Sequence, residues 1–154
     1  MSEAMRSAGL LPYRLDDGLE VLIGHPGGPY FARADQGAWS VIKGEMGRGE
    51  EPKAAAAREF AEETGWDAPP PPWIPLGETR LKSGKVVIAY AVEADFDPDR
   101  LNPGTFTLWG REFPELDRVA WFDPDEARLR LNPAQAVFID RLVDRLLLNE
   151  GRKE

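Results

Sequence analysis

Three glutamates, Glu59, Glu62 and Glu63, fall within five positions and follow directly on Arg58. If the run is helical, each residue advances about 100°, which puts Glu62 near 300° and Glu63 near 40° from Glu59. The three acids then share one face spanning roughly 100°. Ala54, Ala57, Phe60 and Ala61 gather between about 100° and 220°, a small apolar face suited to close packing on a sheet. Carboxylates at i and i+4 destabilise an isolated helix by roughly 0.2–0.5 kcal/mol per pair. They also lie toward the C-terminal end, where the macrodipole favours cations. Arg58, four residues before Glu62, can pair with it. Local conflicts of this kind tend to mark functional sites. A hard divalent cation, Mg²⁺ or Mn²⁺, resolves the conflict, because it takes oxygen ligands from a few carboxylates, water and phosphate. A solvated acidic face is the other reading of three glutamates alone.

The remaining composition narrows the chemistry further. The chain has no cysteine, which excludes disulfides, thiolate nucleophiles and Cys-ligated zinc. His25 is the single histidine, so a Ser-His-Asp triad would have to be built on it and a multi-histidine metal site is excluded. Catalysis must rest mainly on carboxylates. The formal charge of −8 argues against a nucleic-acid polymer as partner. It does not argue against a small phosphorylated ligand, because a bound metal reverses the sign of a site.

The 154 residues are expected to form one domain, 1–154, with a substantial core, since 42% are hydrophobic and 30% charged. MSEAMRSAGLLPYRL lacks the apolar core of a signal peptide, and no membrane-spanning run of about 18 apolar residues occurs. With no disulfides to need an oxidising compartment, a soluble cytoplasmic protein is expected.

The acidic helix needs elements to hold it. Pro52 suits its first turn and Gly65 its end. Before it, residues 7–15 read as a strand with Gly9, Leu11, Tyr13 and Leu15 on one face. Asp16-Asp17-Gly18 reads as a turn, and residues 19–24 as a second, more buried strand. Residues 25–37 carry the glycine and proline of a loop, and residues 38–42 a short strand leading to Lys43-Gly44. After the helix, the proline-rich run 67–75 is a stiff connector. Residues 76–81 and 85–94 form a strand pair around Lys82-Ser83-Gly84. Residues 95–117 read mostly as loop, 118–122 as a strand, and 123–131 as a turn with a short helix. Residues 133–148 repeat apolar side chains at Ala136, Ile139, Val143, Leu146 and Leu147, an amphipathic helix that should pack on a sheet. The order predicts an α/β sandwich with helices on a mixed sheet.

The whole stretch GEMGRGEEPKAAAAREFAEETGW, Gly44 to Trp66, carries a fixed spacing. It reads Gly44, five residues, Glu50, seven residues, then Arg58-Glu59-Phe60-Ala61-Glu62-Glu63-Thr64-Gly65-Trp66. This resembles the signature of the Nudix hydrolases, G-x5-E-x7-R-E-U-x-E-E-x-G-U with U a bulky apolar residue, at every defined position. The order of surrounding elements extends the likeness over most of the chain. The resemblance implies a Nudix-type α/β/α sandwich and a metal-dependent hydrolase that cleaves a nucleoside diphosphate linked to another group. It implies Mg²⁺ or Mn²⁺ held by Glu59, Glu62 and Glu63 with the Gly44 carbonyl, and Arg58 orienting these acids with help from Glu50. Such chemistry needs metal to neutralise charge on the phosphate oxygens and a carboxylate to take the proton of the attacking water.

WSVIKGE, Trp39 to Glu45, further resembles the W-x-x-P-K-G-x entry of Nudix enzymes acting on dinucleoside polyphosphates, with Ile42 in place of the proline. It makes a dinucleoside polyphosphate, or a related nucleotide derivative, the leading substrate. Lys43 is a candidate for substrate phosphate. Glu112 and Glu115, in REFPELD, are candidates for the general base. His25 is a candidate contact to base or phosphate, with an incidental loop position as the alternative. Tyr30, Phe31, Trp39 and Trp109 read as packing residues, with stacking on a nucleobase as the other role. Arg80, Lys82 and Lys85 read as surface charges. A catalytically silent nucleotide-binding sensor on the same fold is the alternative function. A homodimer is left open, since many members of the family are dimers.

Overall fold

The first strand forms as β1, Arg6–Arg14, and every residue from Ser7 to Tyr13 is buried. A strand covered on both faces needs a layer on each side of its sheet. The structure, a computed structural model, describes residues 5–152. The expectations for residues 1–4 and 153–154 lie outside the described residues.

Around β1 run β2 (Glu20–Pro26), β3 (Ile42–Glu45), β4 (Ile74–Arg80), β5 (Val86–Glu93) and β8 (Leu116–Phe122), in the order β4-β5-β1-β2-β8. β5 is parallel to β1, and the other pairs are antiparallel, so the sheet is mixed as expected. The first half of β1 pairs with β3, from Ser7 opposite Glu45 to Leu10 opposite Ile42. Its second half pairs with β2, at Tyr13 opposite Val21. β4 lies at the sheet edge, where a proline such as Pro75 is tolerated, and its register with β5 shifts between Pro75 and Glu78.

One face of the sheet carries α1, Pro52–Thr64, over Ala8, Leu10, Leu22, Ile42 and Tyr90. The other carries α2, Pro124–Arg130, and α3, Ala136–Arg152, over Leu11, Tyr13, Ile23, Val87 and Ala89. This is the α/β/α sandwich. Pro52 sits in the first turn of α1, and Gly65 closes its end with φ 78°, donating its N–H to the Ala61 carbonyl at 2.8 Å. α3 docks through Phe138, Ile139 and Leu142, while Leu147 faces solvent. No helix among the described residues is long and apolar enough to cross a membrane.

Three expectations are corrected. Residues 38–41 form only isolated bridges, Gly24 to Ser40 and Trp39 to Leu131, and the strand begins at Ile42. Trp39 explains this: its ring is buried between His25 and Phe122, and its Nε1–H donates to Asp35 at 2.8 Å. The segment 95–117 is not mostly loop, since β6 (Thr105–Leu108) and β7 (Arg111–Pro114) make a separate hairpin. The packed face of α1 is also rotated from the expected one. Ala55, Ala56 and Phe60 are fully buried and Ala54 is exposed, so Glu59 lies on the sheet-facing side.

Candidate active site

A carboxylate can face the sheet only where the sheet leaves room. Gly44, on β3, provides it: a methyl group there would overlap the Glu59 carboxylate. Glu59 is therefore 91% buried without a steric clash. Glu62, three residues on, is exposed, and Glu63 is half-buried.

Arg58 organises this end of the helix. Its Nε and Nη2 donate to the two carboxylate oxygens of Glu50, at 2.9 and 2.8 Å, in the paired geometry that fixes both planes. Nη1 donates to Glu59 Oε1 at 2.8 Å and to Glu62 Oε2 at 3.2 Å, and Nη2 also reaches the Glu45 carbonyl at 3.1 Å. Glu50 accepts a further bond from the Gly47 N–H at 2.8 Å. The Arg58 hydrogen bonds, with that from Gly47, hold its carboxyl down at about 2.

The C-terminal carbonyls of α1 draw in a second wall. Gly104 N–H donates to the Glu62 carbonyl at 2.9 Å and Asn102 N–H to that of Thr64 at 2.9 Å, satisfying groups a helix end leaves unpaired. Gly104 O then accepts from Glu115 N–H at 2.8 Å. This chain of backbone bonds carries Glu115 to the acidic face from more than fifty residues away in sequence.

Between the walls lies a cavity of about 490 Å³, lined by Glu59, Glu62, Glu63 and Glu115 together with Lys43 and Lys85. Gly44, Glu45, Ser7, Gly104 and Thr105 complete it. Burial, then the carboxylates of Glu115 and Glu59, push the Glu63 carboxyl up to about 8, with Lys43 opposing. Burial also raises Glu59, against the pull of Arg58. Burial and then Lys85 lower the Lys43 ammonium. Burial thus works against the charged form of acid and amine alike, while the carboxylates repel one another and oppose the lowering of Lys43.

That donor set fits a divalent cation. It offers several carboxylates and a backbone carbonyl, all hard oxygen donors, in a pocket whose charge is relieved by a cation. Among the described residues no three acidic or histidine side chains already converge as a closed metal cage. The Arg58 guanidinium spans Glu59 and Glu62 instead.

The expected residues are not all brought together. Lys43, Gly44, Glu59, Glu62, Glu63 and Glu115 line the cavity, and Arg58 stands behind it. Glu112 does not line it: its carboxylate accepts from Thr105 Oγ1 at 2.6 Å across the hairpin. His25 is fully buried, with Nδ1 2.8 Å from Asp117 and Nε2 2.6 Å from the Ala34 carbonyl, so both ring nitrogens are taken up in tying the 27–37 loop to β8. Lys85 is exposed, as expected of a surface charge, yet it also lines the cavity, as does Ser7, which the sequence does not single out. The parallel β1–β5 pairing, with Arg6 opposite Val86 and Ser7 opposite Val87, brings the start of β5 to this end of β1.

The sequence model of the NUDIX domain matches residues 5–142. The chain belongs to the Nudix family. Membership places it among hydrolases acting on phosphoric anhydride bonds, and Nudix enzymes in general use divalent cations such as Mg²⁺. This Nudix chain is similar in structure to an Ap4A hydrolase of C. elegans solved as a binary complex (TM-score 0.68, 18% identity, 92% of this chain and 98% of that one covered). It is similar to the NUDIX domain of Shewanella oneidensis NrtR, crystallised with ADP ribose (TM-score 0.66, 16% identity, 95% and 90% covered). It is also similar to a MutT protein of Methanosarcina mazei Go1 (TM-score 0.64, 19% identity, 94% and 97% covered). At these identities the likeness carries the Nudix fold alone. No curated protein matches the chain significantly.

Proposed function

We propose that the protein is a metal-dependent nucleotide pyrophosphohydrolase that cleaves a nucleoside diphosphate linked to another moiety, with a dinucleoside polyphosphate as leading substrate. The observation that carries this reading is the meeting of Glu59, Glu62, Glu63 and Glu115 with Lys43 and Lys85 around one cavity. Glu59, Glu62, Glu63 and the Gly44 carbonyl would hold Mg²⁺ or Mn²⁺. Bound there, the cation supplies charge neutralisation on the phosphate oxygens. Lys43 and Lys85, which line the same cavity, bind the phosphate chain. Arg58, clamped by Glu50, fixes the orientation of Glu59 and Glu62. Glu115 accepts the proton of the attacking water: it enters from outside α1 and lines the same cavity as Glu63. All the acids of the motif are present, which favours turnover over a silent sensor.

The test is phosphate release from a panel of diadenosine polyphosphates, ADP-ribose, nucleotide sugars and nucleoside triphosphates, with and without Mg²⁺. Activity that needs Mg²⁺ and is lost in Glu63→Gln supports the proposal. Activity that is metal-independent, or equal in the variant, refutes it.

A further inference from the structure

Ser7, on β1, is a buried polar side chain that the proposed chemistry leaves unused. It is 4% exposed and lines the cavity, while Ala8, Leu10 and Leu11 farther along the strand are fully buried and apolar. Among the described residues its hydroxyl makes no hydrogen bond, yet none of their fully enclosed side-chain oxygens or nitrogens is left unpaired. The Ser7 hydroxyl therefore keeps an opening, and it is the cavity that it opens on. A hydroxyl withdrawn from most of its water without gaining a partner in the protein lowers stability. Alanine would fill the same place without that penalty.

The strand register shows what surrounds this hydroxyl. Ser7 pairs with Glu45 on β3 and with Val87 on β5, and Gly9 stands opposite Lys43. Side chains alternate along a strand, so those of Ser7, Lys43 and Glu45 leave the same face of the sheet. Gly9 leaves the room for Lys43, since a methyl group on it would lie 2.6 Å from Lys43 Cβ. Lys43 is thus the diagonal neighbour of Ser7, about 7–8 Å away in such a ladder and within reach of a long side chain. Lys85, one residue before β5, flanks Ser7 from the other side, and all four residues line the cavity. Glu45 is exposed, where water weakens its field, whereas Lys43 is half-buried.

We propose that Ser7 is a substrate-binding residue whose hydroxyl donates to a phosphate oxygen lying between Lys43 and Lys85. The inference rests on the nucleotide-hydrolase reading of the cavity. A hydroxyl flanked by two ammonium groups meets an anion favourably and a further cation unfavourably, so it belongs with the phosphate chain rather than with Mg²⁺. It also adds direction. A lysine carries a compact charge on a flexible stem, while Ser7 holds a short side chain on the central strand of the sheet. Ser7 therefore selects where along the chain a phosphoryl group rests, and the lysines supply the charge.

The test uses the full chain with Mg²⁺ and two probes. Imidodiphosphate, whose bridging nitrogen resists hydrolysis, reports Kd by calorimetry. Diadenosine tetraphosphate reports kcat and KM. Ser7→Ala removes the hydroxyl and keeps the rest of the side chain. With no partner lost inside the protein, the variant should match or exceed the wild-type Tm in the absence of ligand. Its Kd for imidodiphosphate and its KM should each rise about tenfold or more, as expected for one lost hydrogen bond to a charged group. Because that bond holds ground state and transition state alike, kcat should stay within about twofold of wild type. The proposal is overturned if the variant keeps the wild-type Kd for imidodiphosphate, or if wild type binds none of it. An unchanged KM on a hydrolysed substrate overturns it as well, and Mg²⁺-dependent turnover by wild type then leaves the hydrolase reading intact. A loss of affinity that comes with a lower Tm marks a structural role and overturns it equally. If diadenosine tetraphosphate is not hydrolysed but Ser7→Ala still loses imidodiphosphate affinity, the hydrolase reading falls and the phosphate contact stands.

Discussion

Arg58 grips Glu50 through two parallel hydrogen bonds of 2.9 and 2.8 Å, and the same guanidinium holds Glu59 at 2.8 Å. One cation thus sets the positions of an acid before the helix and an acid within it. Lysine keeps the charge but not the planar fork. Arg58→Lys is expected to weaken Mg²⁺ affinity by roughly tenfold to a hundredfold, as loss of an orienting partner does elsewhere. Titrating activity against Mg²⁺ checks this. An unchanged half-saturation would show that the fork orients nothing the metal needs.

Gly44 and Glu59 share a single space. Gly44→Ala puts a methyl group where the Glu59 carboxylate lies, so the acid must swing out while the sheet stays intact. Misplacing a reacting group by about 1 Å can cost on the order of a hundredfold. The expected outcome is a loss of that size in kcat/KM with a near-native circular dichroism spectrum.

The Glu63 carboxyl stands at about 8, raised first by burial and then by Glu115 and Glu59. Its folded pKa lies above the unfolded one, so its contribution to stability is full below the unfolded pKa and is lost as pH rises through about 8. Thermal unfolding in excess chelator should therefore show Tm falling between about pH 5 and pH 8. Glu63→Gln should flatten that slope. Excess Mg²⁺ should raise Tm more at the upper end, where protons no longer compete for the carboxylate. Glu50 acts in the opposite sense, since its carboxyl is held at about 2 and its contribution fades only in strong acid.

Lys43, on β3, and Lys85, just before β5, line the cavity from the two sides of β1. Hydrogen bonds to charged groups contribute about 1.5–3 kcal/mol, so Lys85→Ala should raise KM by about tenfold or more. Steady-state kinetics on diadenosine tetraphosphate measures it, and an unaltered KM would show that Lys85 holds no phosphate.

What the sequence made legible followed local rules. Pro52 and Gly65 bracket α1, and the spacing from Gly44 to Trp66 marks the acidic cluster. What it hid depended on pairing between distant segments. Lys85 enters the cavity only because β5 lies parallel to β1, a register no local pattern encodes. Glu115 and Glu112 look alike in REFPELD, and the Gly104 bond decides between them by drawing Glu115 to the end of α1. The β6–β7 hairpin was obscured because its turn is Trp-Gly, where the usual signal is Asn-Gly. The buried side of α1 was misjudged for a related reason. A wheel places acids away from the core, and Gly44 on another strand is what lets Glu59 face inward.

The central claim is that the charge conflict on α1 is the working part of a metal-dependent hydrolase. It is tested most directly by measuring Tm without metal and kcat with saturating Mg²⁺ on the same preparations of wild type and Glu63→Gln. Neutralising a repelled, partly buried carboxylate should stabilise the metal-free fold at pH 8 while lowering diadenosine tetraphosphate hydrolysis by about a thousandfold, the activity-for-stability exchange of a functional site. A variant that hydrolyses as fast as wild type, whatever its Tm, would contradict the account.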